Sequence, residues 1–176
     1  NLYHSDAQRD AFARRGNAMR VHGVDAELLD REAVCRMVPF LDFDNARFPI
    51  QGGLLQRRGG TVRHDAVAWG YARAASNLGV DIIQNCEVLG FRREGDRVVG
   101  VETSRGFIGA EKVGLAVAGS SSRVAAMAGL RLPIESHALQ AFVTEAIKPF
   151  IDGVVTFGAG HFYVSQSDKG GLVFGG

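Results

Sequence analysis

Cysteine is scarce in this chain, with only Cys35 and Cys86 among 176 residues. The two stand in unrelated contexts, so no disulfide framework is expected and a reducing cytoplasm is the default setting. Charge of one sign is missing as well. Twenty Lys and Arg against 19 Asp and Glu leave a net charge of +1, which gives no footprint for a polyanion, and no nucleic-acid partner is expected. No apolar run approaches the roughly 20 residues of a membrane-spanning helix. No basic segment followed by an apolar one opens the chain as a secretory leader would. The five histidines lack metal-ligand spacing and neither cysteine has a partner at a zinc-site interval, so no metal is expected. A P-loop and a serine nucleophile elbow are absent too. What remains is an ordinary globular composition, 46% apolar and 22% charged, with enough chain for one sizeable core or two small lobes. There is no initiator methionine. Asn1-Leu2-Tyr3 reads as the tail of a strand and Gly171 to Gly176 as a strand cut short, so an internal piece of a longer protein is expected.

Punctuation along the chain sets the elements. Ser5 or Asp6 caps a helix through about Val21, ended by Gly23, and Asp30 caps a short helix over Arg31 to Met37, closed by Pro39. Phe40 to Ile50 is an aromatic-studded loop, and Gly53 to Gln56 a brief strand. A second long helix is predicted from about His64 to Leu78, with Val67, Tyr71, Ala74, Ala75 and Leu78 on one face and Gly79 beyond its end. The period then changes. Val80 to Gln84, Glu87 to Arg93, Arg97 to Thr103 and Phe107 to Lys112 read as strands, the last three a meander turning at Gly95-Asp96 and Ser104-Arg105-Gly106. Val113 to Ala118 is a continuous apolar run of the kind buried in parallel sheets. Gly119 to Ser122 then caps a helix to about Met127. From Leu132 the character shifts to longer strands, Ile134 to Thr144 and His161 to Ser167, with Asp168 to Gly171 as a hairpin turn into Leu172-Val173-Phe174.

The most informative stretch is Gly59 to Ala75, a glycine turn leading into a helix that has Arg63-His64-Asp65 at its start. This order of elements, with Gly79-Val80-Asp81-Ile82, Cys86-Glu87-Val88, Val98-Val99-Gly100-Val101 and Val117-Ala118-Gly119, resembles the D-amino-acid-oxidase superfamily of FAD enzymes. Within it, Gly59 to Ala75 and Phe162 to Gly170 look most like the β subunits of heterotetrameric sarcosine oxidases. The resemblance covers essentially the whole chain. It implies an α/β fold with mixed α+β character: an incomplete flavoenzyme fold, with 1–51 and 131–176 in a mixed-sheet substrate lobe and 52–130 in an FAD-binding lobe. The family's Gly-x-Gly-x-x-Gly dinucleotide fingerprint does not occur in these residues and would lie upstream of them. The segment alone is therefore expected to hold FAD poorly.

The resemblance also assigns roles. His64 would carry a covalently linked FMN. It stands at the first helical position, where many superfamily members have proline, and the positive end of a helix dipole favours the neutral, nucleophilic imidazole. The competing reading is an exposed histidine at a helix start. Arg63 would stabilise negative charge on the reduced FMN or grip its phosphate, although a solvated arginine is an equal rival. Asp65 reads as a first-turn carboxylate favoured by the dipole. Val88 would offer its backbone to the adenine of a non-covalent FAD while its side chain packs in the core. Ala118 and Gly119 would approach the cofactor at the end of a parallel strand, with ordinary sheet packing as the alternative. Tyr163 would face the substrate carboxylate and donate its phenol hydrogen, against a cross-strand packing role, and His161 would share its face by strand alternation.

The activity implied is oxidation of sarcosine to glycine and a one-carbon unit with formation of peroxide. FAD and FMN would be the cofactors and α, γ and δ subunits the partners. Two alternatives stay open: another amine or amino-acid oxidase or dehydrogenase of the superfamily, such as a dimethylglycine dehydrogenase, and an inactive module that presents a subunit interface.

Overall fold

Ser5 and Asp30 start the first two helices, as their residue types dictate. The Ser5 hydroxyl accepts from the Gln8 N–H at 3.3 Å and opens α1, Asp6–Val21. The Asp30 carboxylate accepts from the Ala33 N–H at 2.8 Å and opens α2, Arg31–Met37. Each helix places an acid in its first turn and an arginine in its last, matching the dipole. The later helices are α3, His64–Asn77, and α4, Ser121–Met127. The strands are β1 Leu2–Tyr3, β2 Glu27–Asp30, β3 Gly52–Leu55, β4 Val88–Glu94, β5 Arg97–Thr103, β6 Gly106–Gly109, β7 Ala141–Ala146, β8 Val155–Phe157, β9 Phe162–Gln166 and β10 Gly171–Gly175. These come from a computed structural model that describes residues 1–158 and 160–176. The architecture is mixed α/β with a mixed sheet, as expected from the sequence.

The chain divides into two units, Asn1–Val62 with Leu139–Gly176, and Arg63–Ala138. The first is built on a seven-stranded sheet of order β2-β3-β1-β8-β9-β10-β7. Every pairing is antiparallel except β1 with β8. Both α1 and α2 pack on the β2-β3 end. Leu2, Leu29, Val34, Phe43, Ile50 and Val155 form the core, with Phe40, Leu41, Phe157 and Val164 against it. Two glycines allow the close approaches. Gly16, mid-helix in α1, leaves room for Leu54, whose Cδ1 would lie 3.0 Å from any added Cβ. A Cβ at Gly52 would overlap the Tyr3 hydroxyl and the Leu29 carbonyl, which are themselves joined by a hydrogen bond of 3.0 Å.

Gln166 fastens the far end of this sheet. Its Oε1 accepts from the Phe150 and Ile151 N–H groups at 2.8 and 3.2 Å. Its Nε2 faces the Gly170, Lys148 and Ile147 carbonyls at 2.9, 3.2 and 3.3 Å. One amide thereby holds both the loop before β8 and the turn into β10, using its full donor and acceptor capacity.

The second unit carries α3, the antiparallel meander β4-β5-β6 and α4. Arg92 on β4 lies over the Phe107 ring of β6 at 3.6 Å from its centroid and bonds Glu102 of β5 through Nε at 2.7 Å. It ties the three strands together across one face. Gly95 and Gly106, both at positive φ, make the two turns.

Val80 to Gln84 and Val113 to Ala118 were expected as strands and form none. A strand takes its form from a hydrogen-bonded neighbour, and the three-stranded meander supplies none to either run. Val80, Ile82, Ile83, Val113 and Leu115 are exposed accordingly. The strand expected over Ile134 to Thr144 is confined to β7. Two short strands, β2 and β8, were not anticipated. Asp30 ends β2 and caps α2 at once, so its cap signal masked its strand role.

Replacing the Gln166 amide by a carboxylate aims negative charge at three carbonyls. Gln166→Glu should destabilise the protein by about 1–3 kcal/mol at neutral pH, measured by chemical denaturation. An unchanged midpoint would show that the fastener is dispensable.

Candidate functional site

The start of α3 is the best-defined chemical feature of the second unit. Arg63 is the N-cap in extended conformation and contributes no side-chain cap. Its carbonyl accepts the first helical bond, from the Val67 N–H at 3.1 Å. His64 is thereby fixed as the first helical residue, with its imidazole exposed. On either side of it, Arg63 and Asp65 reach across to each other. The guanidinium donates from Nη2 to Asp65 Oδ2 at 2.8 Å and from Nε to Oδ1 at 3.3 Å. Asp65 Oδ1 also accepts from the Ala66 N–H at 2.8 Å. These bonds hold the Asp65 carboxyl down at about 2, the Arg63 hydrogen bond first and the Ala66 amide second.

Chemically this is a nucleophile-bearing helix start with a fixed cation beside it. A helix N-terminus favours anions through its dipole and its unpaired N–H groups, and the exposed imidazole can be reached by a bulky reactant. The residues present fit a covalently attached flavin whose ring or phosphate carries negative charge. Around them Val62, Trp69 and Tyr71 are exposed, and α3 has no buried residue.

The second cluster is the turn Val117 to Ser121. Ala118 adopts φ +43°, a left-handed conformation rare for a residue with a Cβ and worth roughly 1–3 kcal/mol of strain. Three hydroxyls surround it. Ser121 Oγ donates to the Ala118 carbonyl at 2.6 Å, Ser136 Oγ to the Gly119 carbonyl at 2.7 Å, and Ser122 Oγ to the Ile134 carbonyl at 2.5 Å. Gly119 is exposed, and a Cβ built there would find only Ser136 Oγ, at 3.9 Å. The backbone is thus open on the Cα side of Gly119, with room for a group in close approach. Sequence reasoning passed over Ser136, because one serine in a polar loop carries no signal until its partner is known.

Val88 opens β4 opposite Thr103. The residue is 36% exposed, which corrects the expectation that its side chain packs in the core; it opens an edge strand whose sheet neighbour is β5. Tyr163 lies in the first unit on β9, half-buried between Thr156 of β8 and Gly175 of β10. Val164 packs on the core cluster, so by alternation Tyr163 faces the opposite side of the sheet. His161 does not share that face through the pleat. It precedes β9 at φ +48°, and the left-handed step breaks the alternation. A cleft of about 690 Å³ in the first unit, lined by Arg15, Met19, Phe40, Gly59 and Val155 among others, contains none of the predicted site residues.

The predicted residues therefore fall in two units. Tyr163 belongs to the first; Arg63, His64, Val88, Ala118 and Gly119 belong to the second. Within the second, Ala118 and Gly119 share one turn and Arg63 and His64 share another, while α3 packs against no other element of that unit among the described residues. No group of three His, Cys, Asp or Glu residues able to hold a metal occurs among the described residues. Cys35 and Cys86 are free, and among the described residues no helix is long and apolar enough to cross a membrane.

Removing the guanidinium should release the neighbouring carboxylate. In Arg63→Ala the Asp65 titration midpoint should rise from about 2 toward the ordinary 3.8, followed by carboxyl carbon chemical shift against pH. For a depressed carboxylate the associated stabilisation is present above the unfolded value and lost as pH falls through the folded one. Loosening at the α3 start should accordingly be confined to acid below about pH 4. An unmoved midpoint would show that the Arg63 bond does not control this acid.

A β subunit of sarcosine oxidase from Rhizobium meliloti (strain 1021) is 83% identical over 176 residues, covering 100% of this chain and 42% of that protein. The corresponding subunit from Rhodobacter capsulatus is 53% identical, over 99% of this chain and 42% of that protein. The chain thus spans less than half the length of these relatives. The crystal structure of an L-proline dehydrogenase from P. horikoshii superposes with a TM-score of 0.83 at 26% identity, covering 98% of this chain and 46% of that one. The profile of the FAD dependent oxidoreductase family matches residues 1–176, and the chain belongs to that family.

Proposed function

We propose that this chain is part of the β subunit of a multi-subunit sarcosine oxidase. The protein would oxidise sarcosine to glycine and a one-carbon unit with formation of hydrogen peroxide. The observation that carries the reading is the start of α3, where an exposed imidazole at the first helical position is flanked by a forked Arg63–Asp65 pair. The R. meliloti relative, identical at 83% of positions and named for this enzyme, supports it.

Bound FAD would supply the hydride-accepting chemistry and an FMN attached at His64 the outlet of electrons to oxygen. The chain's own residues do the rest. His64 presents its exposed ring at the first helical position, where a ring nitrogen can be reached for bonding. Arg63, held by Asp65, keeps a positive charge beside the attachment point, where anionic character on a flavin is stabilised. The Ala118–Gly119 turn and the Val88 backbone are the contacts we assign to the non-covalent FAD. Tyr163 donates its phenol hydrogen to the substrate carboxylate and orients it. The partners in this reading are sarcosine and the α, γ and δ subunits. A cytoplasmic setting fits cysteines that remain unpaired.

In the full-length protein assembled with its partner subunits, His64→Ala should abolish flavin that stays with the protein after acid precipitation, while sarcosine still reduces the remaining flavin. Mass spectrometry of the wild-type peptide ending at Arg73 should find the mass of one added FMN. The unmodified mass in active enzyme would remove the FMN assignment.

Tyr163→Phe should raise KM for sarcosine roughly fivefold, the scale of one lost hydrogen bond, with kcat within about twofold. A KM equal to that of the wild type would reduce Tyr163 to cross-strand packing.

A further inference from the structure

A strained backbone at a place assigned to a cofactor invites the question of what holds it. Ala118 is left-handed although Gly119, which could adopt φ +43° freely, stands next to it. Nothing in the local sequence favours this conformation, so neighbouring groups must over-determine it. Two hydroxyls bond consecutive carbonyls of the turn, Ser121 to Ala118 and Ser136 to Gly119. The first is local, three residues away, and belongs to the start of α4. The second comes from across the chain, seventeen residues on, in the loop that leads out of the unit. Ser122 ties that loop down by bonding the Ile134 carbonyl. The loop therefore reaches the turn as a clamp whose tip is one hydroxyl.

We propose that Ser136 is a positioning residue of the flavin site: by holding the Gly119 carbonyl it locks the turn at Gly119, next to the left-handed Ala118, in the shape that admits a flavin dinucleotide against the open face of Gly119. Ser136 reaches the cofactor only through the backbone it fixes. The carbonyl of Gly119 is taken up by Ser136, and the Cα side of the glycine, where an added Cβ would meet only the Ser136 hydroxyl at 3.9 Å, is left for the ligand. The inference rests on the assignment of this turn to FAD, and the test separates the two.

The experiment uses the full-length protein with its partner subunits, freed of non-covalent flavin and titrated with FAD. Binding is followed by flavin fluorescence and by the visible circular dichroism of the bound flavin. Ser136→Ala should weaken FAD binding roughly fivefold, the scale of one hydrogen bond, and change the dichroism, while acid-stable flavin at His64 stays at the wild-type level. Ser136→Thr, which keeps the hydroxyl, should restore both. Ala118→Gly removes the strain that the clamp opposes, so Ala118→Gly with Ser136→Ala should bind FAD more tightly than Ser136→Ala alone. Because relieving the strain would offset a general destabilisation as well, the denaturation midpoint of Ser136→Ala is measured alongside, and the clamp requires FAD binding to weaken by more than the midpoint shift accounts for. Wild-type affinity in Ser136→Ala would overturn the proposal, as would a loss that Ala118→Gly leaves unrepaired. Gly119→Val tests the underlying assignment separately. If it binds FAD normally, the turn does not meet the cofactor and both ideas fall; if it loses FAD while Ser136→Ala does not, only the clamp falls.

Discussion

The first unit depends on a single parallel contact. Its sheet is assembled from two stretches of chain separated by the whole of the second unit, and they join where β1 pairs with β8, Leu2 opposite Phe157. Two residues of strand are too few to hold such a junction by backbone bonding alone. The packing beneath does it: Leu2 and Val155 are both buried, from opposite sides of the seam, in the cluster that Leu29, Val34, Phe43 and Ile50 complete. Apolar burial there must offset the cost of closing a loop over the entire second unit, a cost that grows only slowly with loop length. This explains how a lobe can accept an insertion as large as a domain, provided both ends of the insertion leave from the same sheet.

What could be read from the sequence follows from how local each signal is. Ser5 and Asp30 announce helices because a cap is a contact over three residues, and α1 and α2 begin where those residues stand. The meander turns at Gly95 and Gly106 were visible for the same reason, since positive φ selects glycine within a turn. The failures are non-local. Val80 to Gln84 and Val113 to Ala118 have strand composition, but composition specifies a strand only when a neighbour is available to pair with it. His161 looked like a strand residue in phase with Tyr163, yet its φ of +48° takes it out of the pleat, a conformation that no property of a histidine announces.

The candidate site divides along the same line. Arg63, His64 and Asp65 are contiguous, so their relation could be anticipated from the motif, and the resemblance to flavoenzymes gave the histidine a meaning that an exposed imidazole lacks by itself. The Ala118–Gly119 turn could be located but its restraint could not, because Ser136 is distant in sequence and its hydroxyl is one of many. A resemblance transfers positions, whereas the contacts that hold those positions have to be read from coordinates.

The two proposed flavin contacts also differ in how the chain provides them. At α3 the useful property is an intrinsic one: any helix start exposes N–H groups and a positive dipole end, and the ion pair over His64 is solvent-exposed, so it orients more than it stabilises. At Ala118 the backbone is in a conformation that it would not adopt unaided, and hydroxyl-to-carbonyl bonds from two directions maintain it. A covalent link tolerates the first arrangement, since a bond once made needs no continuing strain to keep its ligand. A cofactor held without one needs a surface already shaped before it arrives, because every degree of freedom frozen on binding subtracts from affinity. In the proposed reading the strained turn therefore suits the non-covalent flavin and the relaxed helix start the covalent one.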